Sequence, residues 1–251
     1  MKIAIIGYGK MGHAVEAMAL KRGHTIGAII DNKAQWVTHL LALQDCDVAV
    51  EFSTPKAAKD NILQCLDYRL PVVTGTTGWY QVPGDIEELC ALHGGTLFWA
   101  SNYSVGMNIM FELNRRLAEL MDAHPGYAAG IVETHHIHKV DAPSGTAISL
   151  ANDIVARLKR KERWQLVDAH DRSLLQPEVL PVVSYREGEV PGIHEVSYDS
   201  FVDTLSIRHE AKGREGLALG ALLAAEFLPG KTGFYTMRDM LGGTHSDDTK
   251  A

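Results

Sequence analysis

The chain has 251 residues, 46% hydrophobic and 22% charged, the composition of an ordinary globular protein rather than a disordered one. Acidic residues outnumber Lys and Arg by 31 to 24. The resulting charge of −7 argues against a general nucleic-acid binder, which needs a basic face to release counterions. No stretch approaches the ~20 apolar residues that span a bilayer. The apolar N-terminal run is interrupted by Gly7, Gly9 and Lys10 and does not read as a signal peptide. Three scattered cysteines, Cys46, Cys65 and Cys90, read as small buried apolar residues and fit a reducing cytoplasm.

Taken in chain order, the first third alternates strand and helix signals. Residues 2–6 read as a buried parallel strand, and Met11, Ala14, Val15, Met18 and Ala19 then form a helical stripe that Gly23 stops. Strands follow at 24–30 and 47–52, with a short polar-apolar stretch between them. Thr54 and Pro55 supply a cap and a first-turn proline for a helix to about Asp67. A strand at 70–73, a helix over 85–92 and a strand at 96–100 complete the pattern, which predicts βαβ units and a parallel sheet. Near residue 104 the character changes. A long helix over 105–121 is expected, then a mixed polar and β-branched stretch at 128–139, and a helix from Ser144 to about Lys161. Strands at 182–185, 194–198 and 204–209 with no helices between them suggest an antiparallel or mixed sheet. A last helix spans 213–227, and the polar tail from Gly242 is expected to fray. The fold class expected is α/β. A parallel-sheet domain (1–104 plus 213–251), which the resemblance given below implies to be of Rossmann type, carries an inserted α+β domain with a mixed sheet (105–212).

Gly7-Tyr8-Gly9-Lys10-Met11-Gly12 is G-x-G-x-x-G directly after a strand and opening a helix. Its glycines permit a tight turn and close backbone approach to a pyrophosphate, which the helix N-terminus also attracts. Asp31, 19 residues past Gly12 at the end of the next strand, suits the hydroxyls of an adenosine ribose. That acid favours NADH, while the nearby Lys33 leaves NADPH open. Phe52-Ser53-Thr54-Pro55 and Gly75-Thr76-Thr77 follow the third and fourth strands, whose carboxyl ends line the crevice of an open parallel sheet.

The densest cluster runs from Glu133 to Ala147: E-T-H-H-I-H-K-V-D-A-P-S-G-T-A. A zinc reading of its three histidines is not favoured, because no cysteine and no carboxylate is found at a supporting spacing. Were the strand to continue, His136 and His138 would share one face, with His135 and Lys139 on the other, about 13 Å apart at Cα. Both could serve one small ring only if the strand ends or turns near Lys139, and Asp141-Ala142-Pro143 makes such a turn reasonable. Ser144-Gly145-Thr146 opens a helix whose first N–H groups face an anion. With the neighbouring lysine and histidines it makes a pocket for one or two carboxylates.

This fifteen-residue stretch resembles the signature of the 4-hydroxy-tetrahydrodipicolinate reductase family. The resemblance extends to the glycine loop, F-S-T-P at 52–55, G-T-T-G at 75–78, A-S-N-Y-S-V-G-M-N at 100–108 and G-F-Y-T-M-R-D at 233–239, nearly the whole chain. It implies an NAD(P)H-dependent reduction by a cytoplasmic homotetramer of the lysine and diaminopimelate pathway, with the central domain holding substrate and making the tetramer. Carried over by position, His135 is the general acid/base, Lys139 a second proton donor, and His136, Gly145 and Thr146 hold the substrate carboxylates. Gly7, Tyr8, Gly9, Lys10, Met11, Gly12, Asp31, Phe52, Ser53, Gly75, Thr76, Thr77, Ala100, Ser101, Asn102, Tyr103 and Arg214 are implied to bind the cofactor, with no metal. The chain departs from the family in a shorter 32–46 region and a glycine loop one residue shorter, with Lys10-Met11 where Arg-Met is usual.

Two other readings are weaker. A semialdehyde dehydrogenase needs a cysteine nucleophile at a strand-helix turn, and none of the three cysteines has that context. A non-catalytic dinucleotide sensor would not need the His/Lys-lined nest.

Overall fold

A computed structural model describes residues 1–80, 84–168 and 176–242. The expected frayed tail from residue 243 onward lies outside them. The chain divides into two compact units, Met1–Val105 with Arg214–Ala251, and Gly106–Gly213. Among the described residues no helix is long and apolar enough to cross a membrane.

Unit 1 is built on a six-stranded, all-parallel sheet. Its strands are β1 (Lys2–Ile6), β2 (Thr25–Ile30), β3 (Val48–Glu51), β4 (Val72–Thr74), β5 (Thr96–Trp99) and β11 (Gly233–Thr236), in the order β11-β5-β4-β3-β1-β2. The connecting helices are α1 (Lys10–Lys21), α4 (Pro55–Asp67) and α5 (Gly84–His93), joined by α8 (Glu215–Phe227) and the short α9 (Met237–Met240). β1, β3 and β4 are buried on both faces, which their unbroken apolar runs require. One apolar cluster, including Ile3, Ile5, Val50, Phe98 and Leu222, packs with α1 and α8; a second, including Ile6, Ala49, Ile62, Val72 and Leu97, packs with α4 and α5.

The polar-apolar stretch after Asp31 is two short helices, α2 (Lys33–Thr38) and α3 (Leu40–Gln44). α2 starts from a capping box: the Asn32 side chain accepts from Ala34 and Gln35 N–H, and Gln35 reaches back to the Asn32 amide. Thr54 occupies the cap position of α4, but its hydroxyl makes no capping bond. The helix start rests on Pro55 in its first turn and on packing.

Unit 2 is a five-stranded mixed sheet in the order β10-β9-β6-β8-β7. β6 (Ala128–His135) lies at its centre, parallel to β8 (Val179–Arg186) and antiparallel to β9 (Ile193–Asp199). β7 (Arg163–Leu166) extends it in parallel beyond β8, and β10 (Thr204–Glu210) in antiparallel beyond β9. Helices α6 (Val105–Asp122) and α7 (Gly145–Val155) supply Met107, Met110, Met121, Leu150 and Ile154 to its core, against Ile131, Val182, Val196 and Tyr198.

One expectation is corrected by the structure, and one strand is new. The helix from Ser144 ends at Val155, not near Lys161: the chain turns through Leu158, which is buried but no longer helical, to reach β7. β7 was not anticipated, because its residues are mostly exposed and show no alternation. Of the two courses open after β6, the chain takes the turn: β6 ends at His135 and residues 136–139 are closed by Lys139 N–H to the His136 carbonyl (3.1 Å).

Candidate active site

In unit 1 the strand registers bring the crevice residues to one edge. Ile6 pairs with Ile30 and with Glu51, Glu51 with Thr74, and Thr74 with Trp99. The next residue of each strand, Gly7, Asp31, Phe52, Gly75 and Ala100, therefore follows the carboxyl end of the sheet. Between β1 and β3 the strand order reverses direction, the place where open α/β sheets take ligands. Gly7 has φ +88°, and a Cβ there would sit 2.4 Å from the Phe52 carbonyl oxygen across that point. A Cβ on Gly12 would meet the Gly7 carbonyl oxygen at 2.4 Å, and one on Gly75 would enter the Phe52 ring. Gly9, the cap residue of α1, has open space instead. Two glycines close the turn and the third leaves room at a helix N-terminus, an arrangement that fits a dinucleotide pyrophosphate.

The other crevice residues divide by what their side chains already do. Asp31 Oδ1 accepts from the Tyr8 amide at 2.8 Å, tying the ribose-type acid to the glycine loop, and the Tyr8 hydroxyl donates to Glu16. Lys10, Ser101, Thr77 and Arg214 are exposed, Met11 is half-buried, and Arg214 occupies the cap of α8. The half-buried Asn102 accepts from Ser104 N–H at 2.9 Å. Tyr103 is a core residue whose hydroxyl donates to the Thr74 carbonyl at 2.7 Å, so only its backbone is left for a ligand. Lys33 pairs with Asp60 at 3.2 Å, both exposed.

The residue that organises this edge is one the sequence reading passed over. Glu51, with no exposed surface, accepts at Oε1 from Ser53 N–H (2.9 Å), Thr76 Oγ1 (3.0 Å) and Ser53 Oγ, and at Oε2 from Thr74 Oγ1 (2.6 Å). It binds the loops after β3 and β4 into one piece. The signal for it is an acid that closes the apolar run of β3, directly before Phe52.

In unit 2 the inward face of β6 reads Ala129, Ile131, Glu133, His135, so the face that builds the core turns polar at its end. Glu133 lies opposite His194 on β9 and beside Ser184 on β8, and His135 beside Arg186. Glu133 is fully buried. Oε2 meets His135 Nδ1, and Oε1 accepts from Ser184 Oγ (2.7 Å), both terminal nitrogens of Arg186 (3.1 Å each) and the Ser144 amide (3.3 Å). Burial opposes ionisation of this carboxyl, yet the bonds from His135, Ser184 and Arg186 outweigh it and hold the group at about 2. His194 stacks edge-on to His135 at 5.1 Å between centroids, and its Nε2 is 3.1 Å from Ser144 Oγ. Burial, with the neighbouring His135, pushes His194 down to about 4, so it is neutral near pH 7. Its Nδ1 is buried without a hydrogen-bond partner among the described residues.

Ser144 caps α7 by accepting from the Ala147 amide at 3.2 Å, which sets Gly145 and Thr146 as the first helical residues. Gly145 is exposed with open space around it, and Thr146 is half-buried. Arg186 also donates to the carbonyls of Lys139 (3.2 Å) and Asp141 (2.6 Å), clipping the turn after β6 back onto β8. The Lys139 ammonium donates to Asp141 at 2.8 Å, and its charge is felt at His194. His136 is half-buried, stacks on His138 at 5.9 Å and has a buried Nδ1 with no partner among the described residues.

The sequence reading dismissed a metal partly for want of a carboxylate, and Glu133 corrects that. Glu133, His135 and His194 place ligand atoms within 4.8 Å of one another. The carboxylate already serves Arg186, so a divalent cation would have to share it with a guanidinium. The arrangement is better suited to moving a proton: a histidine backed by an ionised carboxylate, near a helix N-terminus of the kind that favours negative charge. Glu133, His194, Ser184 and Arg186 were all missed. The period-2 alternation of β6 was the available signal for Glu133, while the other three depend on strand pairing.

Comparison with known proteins agrees with this architecture. The family model described as dihydrodipicolinate reductase, N-terminus, matches residues 1–103, and that for the C-terminus matches residues 106–241. A 4-hydroxy-tetrahydrodipicolinate reductase of Christiangramia forsetii is 42% identical over 241 residues, 96% of this chain and 98% of the relative. One from Staphylococcus carnosus is 34% identical over 247 residues, 94% of this chain and 98% of the relative. In fold, the chain is similar to a dipicolinate-bound dihydrodipicolinate reductase from Paenisporosarcina sp. TG-14, with a TM-score of 0.73 at 20% identity, covering 94% of this chain and 97% of that one. With both halves matched and relatives aligned over nearly their full lengths, the chain belongs to the dihydrodipicolinate reductase family.

Proposed function

We propose that this chain reduces (2S,4S)-4-hydroxy-2,3,4,5-tetrahydrodipicolinate to tetrahydrodipicolinate with His135 as its general acid. As a member of its family it is an NAD(P)H-dependent oxidoreductase of lysine and diaminopimelate biosynthesis. The substrate gains a hydride and a proton and loses water. When bound, the reduced nicotinamide supplies the hydride. The chain's own residues hold the dicarboxylate and manage the proton. Gly145 and Thr146 offer the first amides of α7 to one carboxylate, and His136 adds a further polar contact. Lys139 exchanges Asp141 for a substrate carboxylate and serves as a second donor. The observation that carries this reading is the link, through Glu133 and Ser144, between a buried histidine and a helix N-terminus.

Gly7, Tyr8, Gly9, Lys10, Met11 and Gly12 hold the pyrophosphate. Asp31 holds the adenosine ribose, and Phe52, Ser53, Gly75, Thr76, Thr77, Ala100, Ser101, Asn102, Tyr103 and Arg214 complete the nucleotide site, chiefly by backbone where the side chain is buried. NADH is the preferred cofactor, because Asp31 would repel a 2′-phosphate and Lys33 is directed to Asp60. The enzyme works in the cytoplasm as a homotetramer, with residues 105–212 holding substrate and making the contacts between subunits.

The test follows oxidation of NADH and NADPH with substrate made in situ from pyruvate and aspartate semialdehyde by the preceding synthase. Oxidation that requires the synthase, with the higher kcat/KM for NADH, is the expected result. Nucleotide binding without oxidation rejects the enzymatic reading, and a preference for NADPH rejects the role given to Asp31. Sedimentation equilibrium decides the tetramer.

A further inference from the structure

We propose that Glu133 is a positioning residue: it holds a proton on Nδ1 of His135, so that Nε2 is the atom that takes up a second proton from water and, from the imidazolium, delivers it to the substrate, and it ties that ring to the start of α7. The inference rests on the reading of His135 as acid. Three observations support it. First, the buried Glu133 keeps Oε2 for His135 Nδ1 while Oε1 is taken by Ser184, Arg186 and the Ser144 amide, so the carboxylate cannot rotate away without breaking those bonds. Second, with the carboxyl held at about 2, it remains an acceptor throughout the working range, and the ring nitrogen facing it must be a donor. Third, the opposite nitrogen is kept approachable. A Cβ on Gly192 would lie 3.0 Å from His135 Nε2, and the φ of +153° at that residue also favours glycine. The edge-on ring of His194, neutral near pH 7, packs beside His135 without adding a second charge.

The Ser144 amide adds a consequence. Glu133 holds the backbone at the start of α7, so the orientation of the acid and the position of the first helical amides are set by one side chain. Removing the negative charge should therefore lower kcat and weaken substrate binding, while leaving dinucleotide binding alone.

The experiment pairs two measurements. Nitrogen-15 NMR of histidine-labelled wild-type protein, with His135 assigned by its loss in His135→Asn, reads the tautomer of the neutral ring directly. Steady-state kinetics and NADH titration of Glu133→Gln and His135→Asn read the chemistry. We expect Nδ1–H in the wild type, a shift toward Nε2–H in Glu133→Gln, and a kcat lower by roughly 10²-fold with unchanged NADH affinity. An Nε2–H ring in the wild type overturns the proposal even if Glu133→Gln fails to fold. So does a Glu133→Gln protein with wild-type kcat. If His135→Asn itself turns over normally, it is the acid assignment that fails. If His135→Asn is inactive while the wild-type ring carries Nε2–H, only the role of Glu133 falls.

Discussion

Glu51 ends β3 in unit 1 and Glu133 lies near the end of β6 in unit 2; neither has exposed surface, and each accepts from at least three neighbouring groups. Their partners differ in kind. Around Glu51 every hydrogen-bond donor among the described residues is neutral: two threonine hydroxyls, one serine hydroxyl and one amide. Around Glu133 the donors include a guanidinium and a histidine ring. A carboxylate among neutral donors can hold backbone in place but cannot hand charge to a reacting group. One coupled to a histidine can hold both geometry and a proton. On the proposed reading, the same residue type thus braces the nucleotide crevice in one unit and serves the chemistry in the other.

The strongest way to break that contrast is at the histidine. His135→Ala should lower kcat by roughly 10²- to 10⁴-fold while leaving the NADH Kd unchanged, read by steady-state assay and fluorescence titration. If affinity for NADH falls in parallel, the site in unit 2 is supporting the fold rather than the reaction. A smaller effect concerns pH. His194 is held at about 4 against an ordinary 6.5, so the unfolded chain takes up this proton first and stability falls as pH drops from about 6.5 toward 4. Glu133, at about 2 against 4.5, adds a further loss below about pH 4.5. The groups acting on His194 are His135, Glu133, His209 and Lys139, with Ser144 as its hydrogen-bond neighbour. Between about pH 8 and pH 5 the His194 contribution is about 2 kcal/mol. Urea midpoints across that range should slope for the wild type and flatten in His194→Gln; equal slopes would remove His194 as the cause.

What the sequence disclosed follows from how far apart the interacting residues are. The glycine loop is local: its conformation, its strand and its helix all lie within twenty residues, and the spacing of Gly7, Gly9 and Gly12 was enough to place it. The start of α7 at Ser144 was legible for the same reason, but its end was not. Leu158 continues the apolar spacing beyond Val155 although the helix has already stopped, because the chain needs to turn back to β7. α2 carried a readable sign, Asn32 with Gln35 three residues on, which went unused because the stretch has so few buried residues to mark a stripe. In the sequence Glu133 stands out only as the first residue of a signature. Its neighbours Ser184, Arg186 and His194 are 51, 53 and 61 positions away, and only the strand order β9-β6-β8 brings them beside it. Glu51 is the parallel case in unit 1, joined to Thr74 and Thr76 across β3 and β4.

The smallest predicted effect sharpens the comparison from the other side. Glu51→Gln keeps the size of the side chain but turns one acceptor oxygen into an amide NH₂, which then faces hydroxyls it cannot accept from. One or two of the bonds from Ser53, Thr74 and Thr76 must break or reverse, and at about 1 kcal/mol each this loosens the loops after β3 and β4 without removing any group from unit 2. Because those loops edge the crevice proposed to hold the dinucleotide, the loss should appear as a roughly tenfold higher KM for NADH, with kcat at saturating cofactor near the wild-type value. Glu133→Gln should do the reverse, lowering kcat at constant NADH affinity. The two variants measured side by side make a crossed test. If Glu51→Gln lowers kcat without touching the NADH KM, the neutral-donor carboxylate is part of the chemistry after all, and partner type does not separate bracing from catalysis.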